Sequence, residues 1–179
     1  NTPLVLTDNP RLQTGYDPLG RVTSTTDELG RETRLVYDAV GNLIERILPD
    51  STPLDLSNNP RERSEFDAAN QVSASIDARG NRTEFTYNDV GNRVAIEDAL
   101  GNETRLEYDA QGRQTRITNA LGDQIEYVYD GSGRISETIS ADGGSVRLTY
   151  GPSGLVASQL NQNGQATQFE YDLLGRVTK

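Results

Sequence analysis

The sequence predicts an all-β chain of tandem β-hairpins joined into a long antiparallel ribbon, and three observations carry that prediction. An aromatic residue recurs at Tyr16, Tyr37, Phe66, Tyr87, Tyr108, Tyr129, Tyr150 and Tyr171, in steps of 21 residues with a single step of 29. Four residues after each aromatic stands Gly20, Gly41, Asn70, Gly91, Gly112, Gly133, Gly154 or Gly175. A second glycine column lies fourteen after the aromatic, at Gly30, Gly80, Gly101, Gly122, Gly143 and Gly164. A motif serving one catalytic centre occurs once in a domain, whereas a segment repeated at a fixed period is a building block of an array.

Each element of the repeat follows from its residues. In the unit from Asn102 to Gly122, Thr104, Leu106 and Tyr108 alternate with Glu103, Arg105 and Glu107. That is the period-two signature of a strand with one sheltered face. The same phase holds at Thr33, Leu35 and Tyr37, at Thr83, Phe85 and Tyr87, and at Val146, Leu148 and Tyr150. The first turn comes next, closed by the glycine or asparagine column, the two residue types that best tolerate a left-handed backbone. Beyond it lies a second strand rich in β-branched residues, with Val22, Leu43, Val72, Ile135, Val156 and Val177 six after the aromatic and Arg93 and Gln114 as exceptions. The far turn reads Asp-x-x-Gly or Asn-x-x-Gly, as at Asp27 to Gly30, Asp98 to Gly101, Asn119 to Gly122 and Asn161 to Gly164. Asp or Asn first and Gly fourth mark a type I turn, because the side chain bonds forward to backbone N–H groups. No room is left for a helix. Eight repeats give about 16 strands and, at ~4.8 Å per strand, a ribbon roughly 75 Å long, expected to twist and curl.

The 29-residue step has its own source. The segment from Ser51 to Asp67 matches that from Asn1 to Asp17, so an eight-residue extension appears twice, with inserts near residues 2–11 and 52–61. The whole of residues 1–179 is therefore expected to be one repeat array cut from a longer one, with neither end a natural terminus.

Composition narrows the function classes. Hydrophobic residues make up 34% of the chain, too few for a conventional two-layer core, yet the regular columns argue against disorder. The formal charge of −10 repels phosphate backbones and anionic membranes, which makes nucleic acid a poor partner. No apolar run reaches the ~18 residues a membrane helix needs. Cysteine, histidine, methionine and tryptophan are absent, and Lys179 is the only lysine. No thiol or imidazole is present for a disulfide, a zinc site or a nucleophile–base pair.

The pattern Tyr-Asp-x-x-Gly-Arg, with a second glycine ten residues on and a period of 21, resembles the YD repeats of the rearrangement hotspot (Rhs) family. These repeats also occur in C components of insecticidal Tc toxins, in wall-associated bacterial toxins and in teneurins. The resemblance runs from Tyr16 to Lys179 apart from the insert. Its signature residues are Tyr16, Asp17, Gly20 and Arg21; Tyr37, Asp38 and Gly41; Phe66, Asp67 and Asn70; Tyr87 and Gly91; Tyr108, Asp109, Gly112 and Arg113; Tyr129, Asp130, Gly133 and Arg134; Tyr150 and Gly154; and Tyr171, Asp172, Gly175 and Arg176. Departures are Phe66 with Asn70, Asn88 and Gly151 in place of Asp, and Leu155 after the turn glycine.

The resemblance implies a ribbon spiralling into a hollow shell. In bacterial members the shell encloses a C-terminal toxic domain; teneurin-like members use its outside for cell-surface recognition. The expected partners are thus a toxin or effector cargo and neighbouring repeats, with self-association through exposed end strands. The expected setting is secreted or cell-surface, as part of a larger protein. Neither catalytic residues, a cofactor nor a metal is expected.

Functional readings of single features are weaker. Asp17-Pro18-Leu19-Gly20 is similar to an Asp-Pro-x-Gly element near the self-cleavage site of Rhs cores, but it falls on a repeat turn where Pro suits the second position. The Asp- and Asn-rich turns offer oxygen ligands without a calcium-loop spacing. The tyrosine column reads as packing between hairpins, with stacking on sugars as its rival. Arg21, Arg113, Arg134, Arg176, Arg105 and Arg147 are dispersed and read as partners of Glu positions such as Glu103 and Glu107. The expectation is a non-catalytic wall segment. The alternative is a receptor- or carbohydrate-binding module using the exposed face or the inserts from Thr2 to Arg11 and Thr52 to Arg61.

Overall fold

A computed structural model describes residues 12–49 and 58–178. The first insert and most of the second lie outside the described residues. Among the described residues, fifteen strands follow one another without a helix. They are β1 (Gln13–Tyr16), β2 (Val22–Thr26), β3 (Glu32–Tyr37), β4 (Leu43–Ile47), β5 (Arg61–Phe66), β6 (Val72–Ile76), β7 (Arg82–Tyr87) and β8 (Arg93–Glu97), then β9 (Glu103–Tyr108), β10 (Gln114–Thr118), β11 (Gln124–Tyr129), β12 (Ile135–Ile139), β13 (Ser145–Tyr150), β14 (Val156–Leu160) and β15 (Ala166–Gln168). The strand order is the sequence order. The sixteenth expected strand is reduced to an isolated bridge between Tyr171 and Val177.

The chain divides into two compact units, one of Asn1–Phe85 with Asp98–Leu100 and one of Thr86–Glu97 with Gly101–Lys179. In the first, β1 to β7 pair antiparallel with their sequence neighbours. In the second, β8 to β15 do the same. Within each, the tandem hairpins predicted from the period are what the chain adopts.

The first turns close in one way throughout, and the far turns at Asp27, Asp77, Asn119, Ser140 and Asn161 close in the same way. At the first turn, the Gly20 N–H donates to the Asp17 carbonyl and the Asp17 N–H to the Arg21 carbonyl, both at 2.9 Å. At the far turn, Gly30 and Asp27 repeat the bond at 2.9 Å. Turn closure followed by a left-handed residue is the three-residue hairpin loop. Gly112 has φ +77°. Asn70, with φ 61°, is the one non-glycine described residue with positive φ, so the replacement in the glycine column keeps the backbone conformation.

One feature of the second strand is absent from the sequence reading. Tyr108 faces Gln114, but Glu107 faces Arg116, so Thr115 is an extra residue. The same slip follows Tyr16, Tyr37, Phe66, Tyr129 and Tyr150 in their pairings. A bulge at a constant place in the repeat bends the strand and strengthens its twist. It also breaks the alternation, which is why second strands show continuous half-burial, as in β10 and β12.

The two faces differ in content. First strands keep Thr33, Leu35 and Tyr37, or Thr104, Leu106 and Tyr108, half-buried while Arg34, Val36, Arg105 and Glu107 are exposed. Among the described residues, the only buried apolar side chains are Ile47 and Ala74. Cohesion therefore rests on the backbone ladder and cross-strand pairs rather than on a shared core.

A repeated brace as the candidate functional site

The signature residues converge at the first turn of each repeat. The Asp17 Oδ1 accepts the backbone N–H groups of Leu19 and Arg21, each at 2.9 Å, and Oδ2 accepts the Arg21 Nε–H at 2.6 Å. Asp109 with Gln111 and Arg113, Asp130 with Ser132 and Arg134, and Asp172 with Leu174 and Arg176 repeat this arrangement. Asp38 keeps it with Asn42 in the arginine's place. Asn88 keeps the backbone half, from Val90 and Asn92. Asp67 takes the N–H groups of Ala69 and Gln71.

The arginine then reaches the next hairpin. The guanidinium carbon of Arg21 lies 4.7 Å from the ring centre of Tyr37, that of Arg113 lies 4.4 Å from Tyr129, and that of Arg134 lies 4.1 Å from Tyr150. These are cation–π distances. The tyrosine hydroxyl reaches back in turn: Tyr108 donates to the Arg93 carbonyl at 2.8 Å, Tyr129 to Gln114 at 2.7 Å, Tyr150 to Ile135 at 2.6 Å and Tyr171 to Val156 at 2.9 Å. The acceptor is always the first residue of the preceding second strand. Aspartate, arginine, ring and carbonyl thus form a brace that ties a hairpin to its successor, complete at Asp109–Arg113–Tyr129–Gln114 and Asp130–Arg134–Tyr150–Ile135 and partial at other junctions. Leu155 breaks the series, with its Cδ1 3.8 Å from where a Cβ on Gly175 would stand.

The electrostatics follow from these contacts. The Arg113 guanidinium holds the Asp109 carboxyl below its ordinary value, and the Arg134 guanidinium does so for Asp130. Backbone N–H bonds lead the same lowering at Asp17, Asp27 and Asp172. At Asp38, desolvation is the largest influence and pulls upward, yet the bonds from Asn42 still leave the carboxyl lowered.

The other face carries ladders of charge. Arg116 pairs with Glu107 at 3.0 Å and Glu126 at 3.0 Å, and Glu45 pairs with Arg61 at 3.1 Å and Arg63 at 2.9 Å. Glu107 thus pairs across strands, whereas Glu103 pairs along its own strand with Arg105 at 2.8 Å, because residues two apart share a face. Arg147 pairs across to Glu137 at 3.0 Å. The tyrosine face of the first unit carries the pair Arg46–Glu62, at 3.5 Å, among otherwise uncharged strand positions.

Chemically, this is holding geometry. Carboxylates at the first turns point at their own backbone, Asp17 of the Asp-Pro-Leu-Gly stretch included. Among the described residues no three His, Cys, Asp or Glu side chains gather in a group able to hold a metal ion.

Fold and brace define the class: a protein of tandem β-hairpins, with successive hairpins strapped together where the brace is complete. The model of the family described as RHS Repeat matches residues 16–53, 66–103, 87–124 and 108–145, more than half of the chain. The chain belongs to the RHS repeat family. Among solved structures, the crystal structure of TcdB2-TccC3-Cdc42 is similar at a TM-score of 0.72 and 20% identity, covering 93% of this chain and 10% of that one. TcdB2-TccC3 is similar at 0.70 and 20%, again over 93% and 10%. The Photorhabdus luminescens Tc holotoxin pore is similar at 0.60 and 16%, over 96% and 12%. The chain therefore spans about a tenth of the length of the chains it matches. No curated protein matches it.

Proposed function

We propose that this chain is a non-catalytic segment of the wall of a hollow YD-repeat shell, and that the shell encloses the C-terminal effector or toxin domain of a larger secreted or cell-surface protein. The observation that carries the reading is the brace: the bonds of Tyr129 to Gln114 and of Tyr150 to Ile135 strap successive hairpins together, as a continuous wall requires. The similarity in fold to Tc toxin assemblies supports it. The partners of the wall are the enclosed effector and neighbouring repeats, and exposed end strands are its route to self-association. Enclosure acts mechanically, by keeping the effector from proteases and from its targets until release.

The test is limited proteolysis of the whole parent protein. Expected is an effector domain that resists protease in the intact protein and is cleaved once the wall is unfolded in urea. An effector cleaved equally fast in both states would refute enclosure.

A further inference from the structure

One repeat sets two branched aliphatic residues side by side at its far edge, and they floor a groove. Position nine of each repeat faces the first sheltered residue of the next hairpin. These pairs are Thr25–Thr33, Arg46–Glu62, Ser75–Thr83, Ile96–Thr104, Thr138–Val146 and Gln159–Thr167. Between β10 and β11 the pair is Ile117–Ile125, two branched aliphatics side by side. Ile125 remains 39% exposed and Leu121, in the adjoining turn, 88% exposed. Together with Ala141 the isoleucines floor a groove of about 580 Å³. Its rims bear Asp123 from one turn and Asp142 from the next, and no cationic side chain lines it.

The groove joins an aliphatic floor to two carboxylates with no cation beside them. Asp38 and Asp77 bond the asparagines Asn42 and Asn81, while other carboxylates of turns and ladders have arginine partners, as Asp109 does in Arg113 and Glu107 in Arg116. Asp123 accepts from Asn119 Nδ2 at 3.0 Å, and Asp142 from the Gly144 N–H at 2.9 Å. Neither takes part in an ion pair among the described residues. Turns two strands apart are separated by ~9.6 Å, too narrow for a helix of ~10–12 Å and wide enough for an extended chain.

The geometry points to a docking site for an extended segment of a separate polypeptide that places a branched or long aliphatic side chain over Ile117 and Ile125 and a lysine or arginine beside Asp123 and Asp142. The aliphatic contact supplies the affinity, and the two carboxylates select against neutral or acidic neighbours. The inference stands whether or not the shell reading holds.

The test is a methyl NMR titration of the full chain, isotope-labelled at isoleucine, with the capped peptide Leu-Lys-Leu-Lys. Expected are saturating shifts at the Ile117 and Ile125 methyls, with little change at Ile47, Ile76 and Ile135. Capped Ser-Lys-Ser-Lys and Leu-Glu-Leu-Glu should bind about tenfold more weakly or worse. Ile125→Thr, which installs the residue found at positions 33, 83, 104 and 167, should weaken the leucine–lysine peptide by about tenfold while leaving the circular dichroism unchanged. If that variant fails to fold, the paired Asp123→Asn, Asp142→Asn variant takes its place, with the same loss expected and a weaker salt dependence. Equal binding of the serine–lysine peptide, shifts spread over all isoleucines, or affinity unmoved by these variants would overturn the proposal. So would self-association that Ile125→Thr abolishes, since the occupant would then be a second copy.

Discussion

At the scale of single residues, the repeat is a set of local bonds whose loss has a calculable size. Tyr129→Phe keeps the ring under Arg113 and removes only the hydroxyl bond to Gln114, so about 1 kcal/mol should be lost in urea unfolding, the net value of one hydrogen bond. Gly112→Ala forces a Cβ into a left-handed backbone and should cost about 1–2 kcal/mol, whereas Asn70→Gly should stay within about 0.5 kcal/mol of the parent. The turn aspartates set the acid response. Their folded values lie below the ordinary ones, so their contribution is present above the unfolded carboxylate range near 4 and is lost as pH falls through the folded values. Circular dichroism should show a stable ribbon from neutrality to about pH 4 and progressive loss below it. Asp130→Asn keeps an acceptor for the Ser132 and Arg134 N–H groups, so it should lower stability at pH 7 and leave it nearly unchanged near pH 2.

At the scale of the hairpin, the tyrosine, aspartate and glycine columns were legible because their conformations are decided within five residues of chain. A φ near +77° calls for glycine, and an aspartate that bonds forward calls for a turn, whatever surrounds them. The bulge was not legible, since Thr23, Ile44, Ser73, Thr115, Ser136 and Ala157 share no chemistry; what they share is being surplus to a pairing. Nor was the brace, because a hydroxyl bonded to a backbone carbonyl leaves no mark on the acceptor's identity. The seventh repeat tests the brace as an element. It has Gly151 and Leu155 where Asp130 and Arg134 stand one repeat earlier. Gly151→Asp with Leu155→Arg should place a guanidinium over Tyr171 as Arg134 lies over Tyr150, and should slow amide exchange across β14.

At the scale of the whole chain, each strand pairs only with its sequence neighbours, so stability is nearly a sum of hairpin terms and nearest-neighbour terms. Tyr150→Ala should therefore raise amide exchange in β12 to β14 and leave β2 to β4 at parental rates. Exchange measured by mass spectrometry checks this, and uniform deprotection would contradict a one-dimensional array. The same architecture explains how a chain with 34% hydrophobic residues folds at all: each hairpin needs only its neighbour to cover one face.

The sequence by itself determined the period, the two turns per repeat, the sheltered phase of the first strands and membership in a hairpin-repeat class. Each of these is settled by a residue's own backbone preference or by alternation along one strand. Only the tertiary structure decided which hairpin each arginine and tyrosine would grip, where the second strand slips its register, and that Ile117 and Ile125 come together above two unpaired carboxylates. Those outcomes depend on contacts between strands, and the partner in such a contact is chosen by geometry after pairing, not by residue type before it.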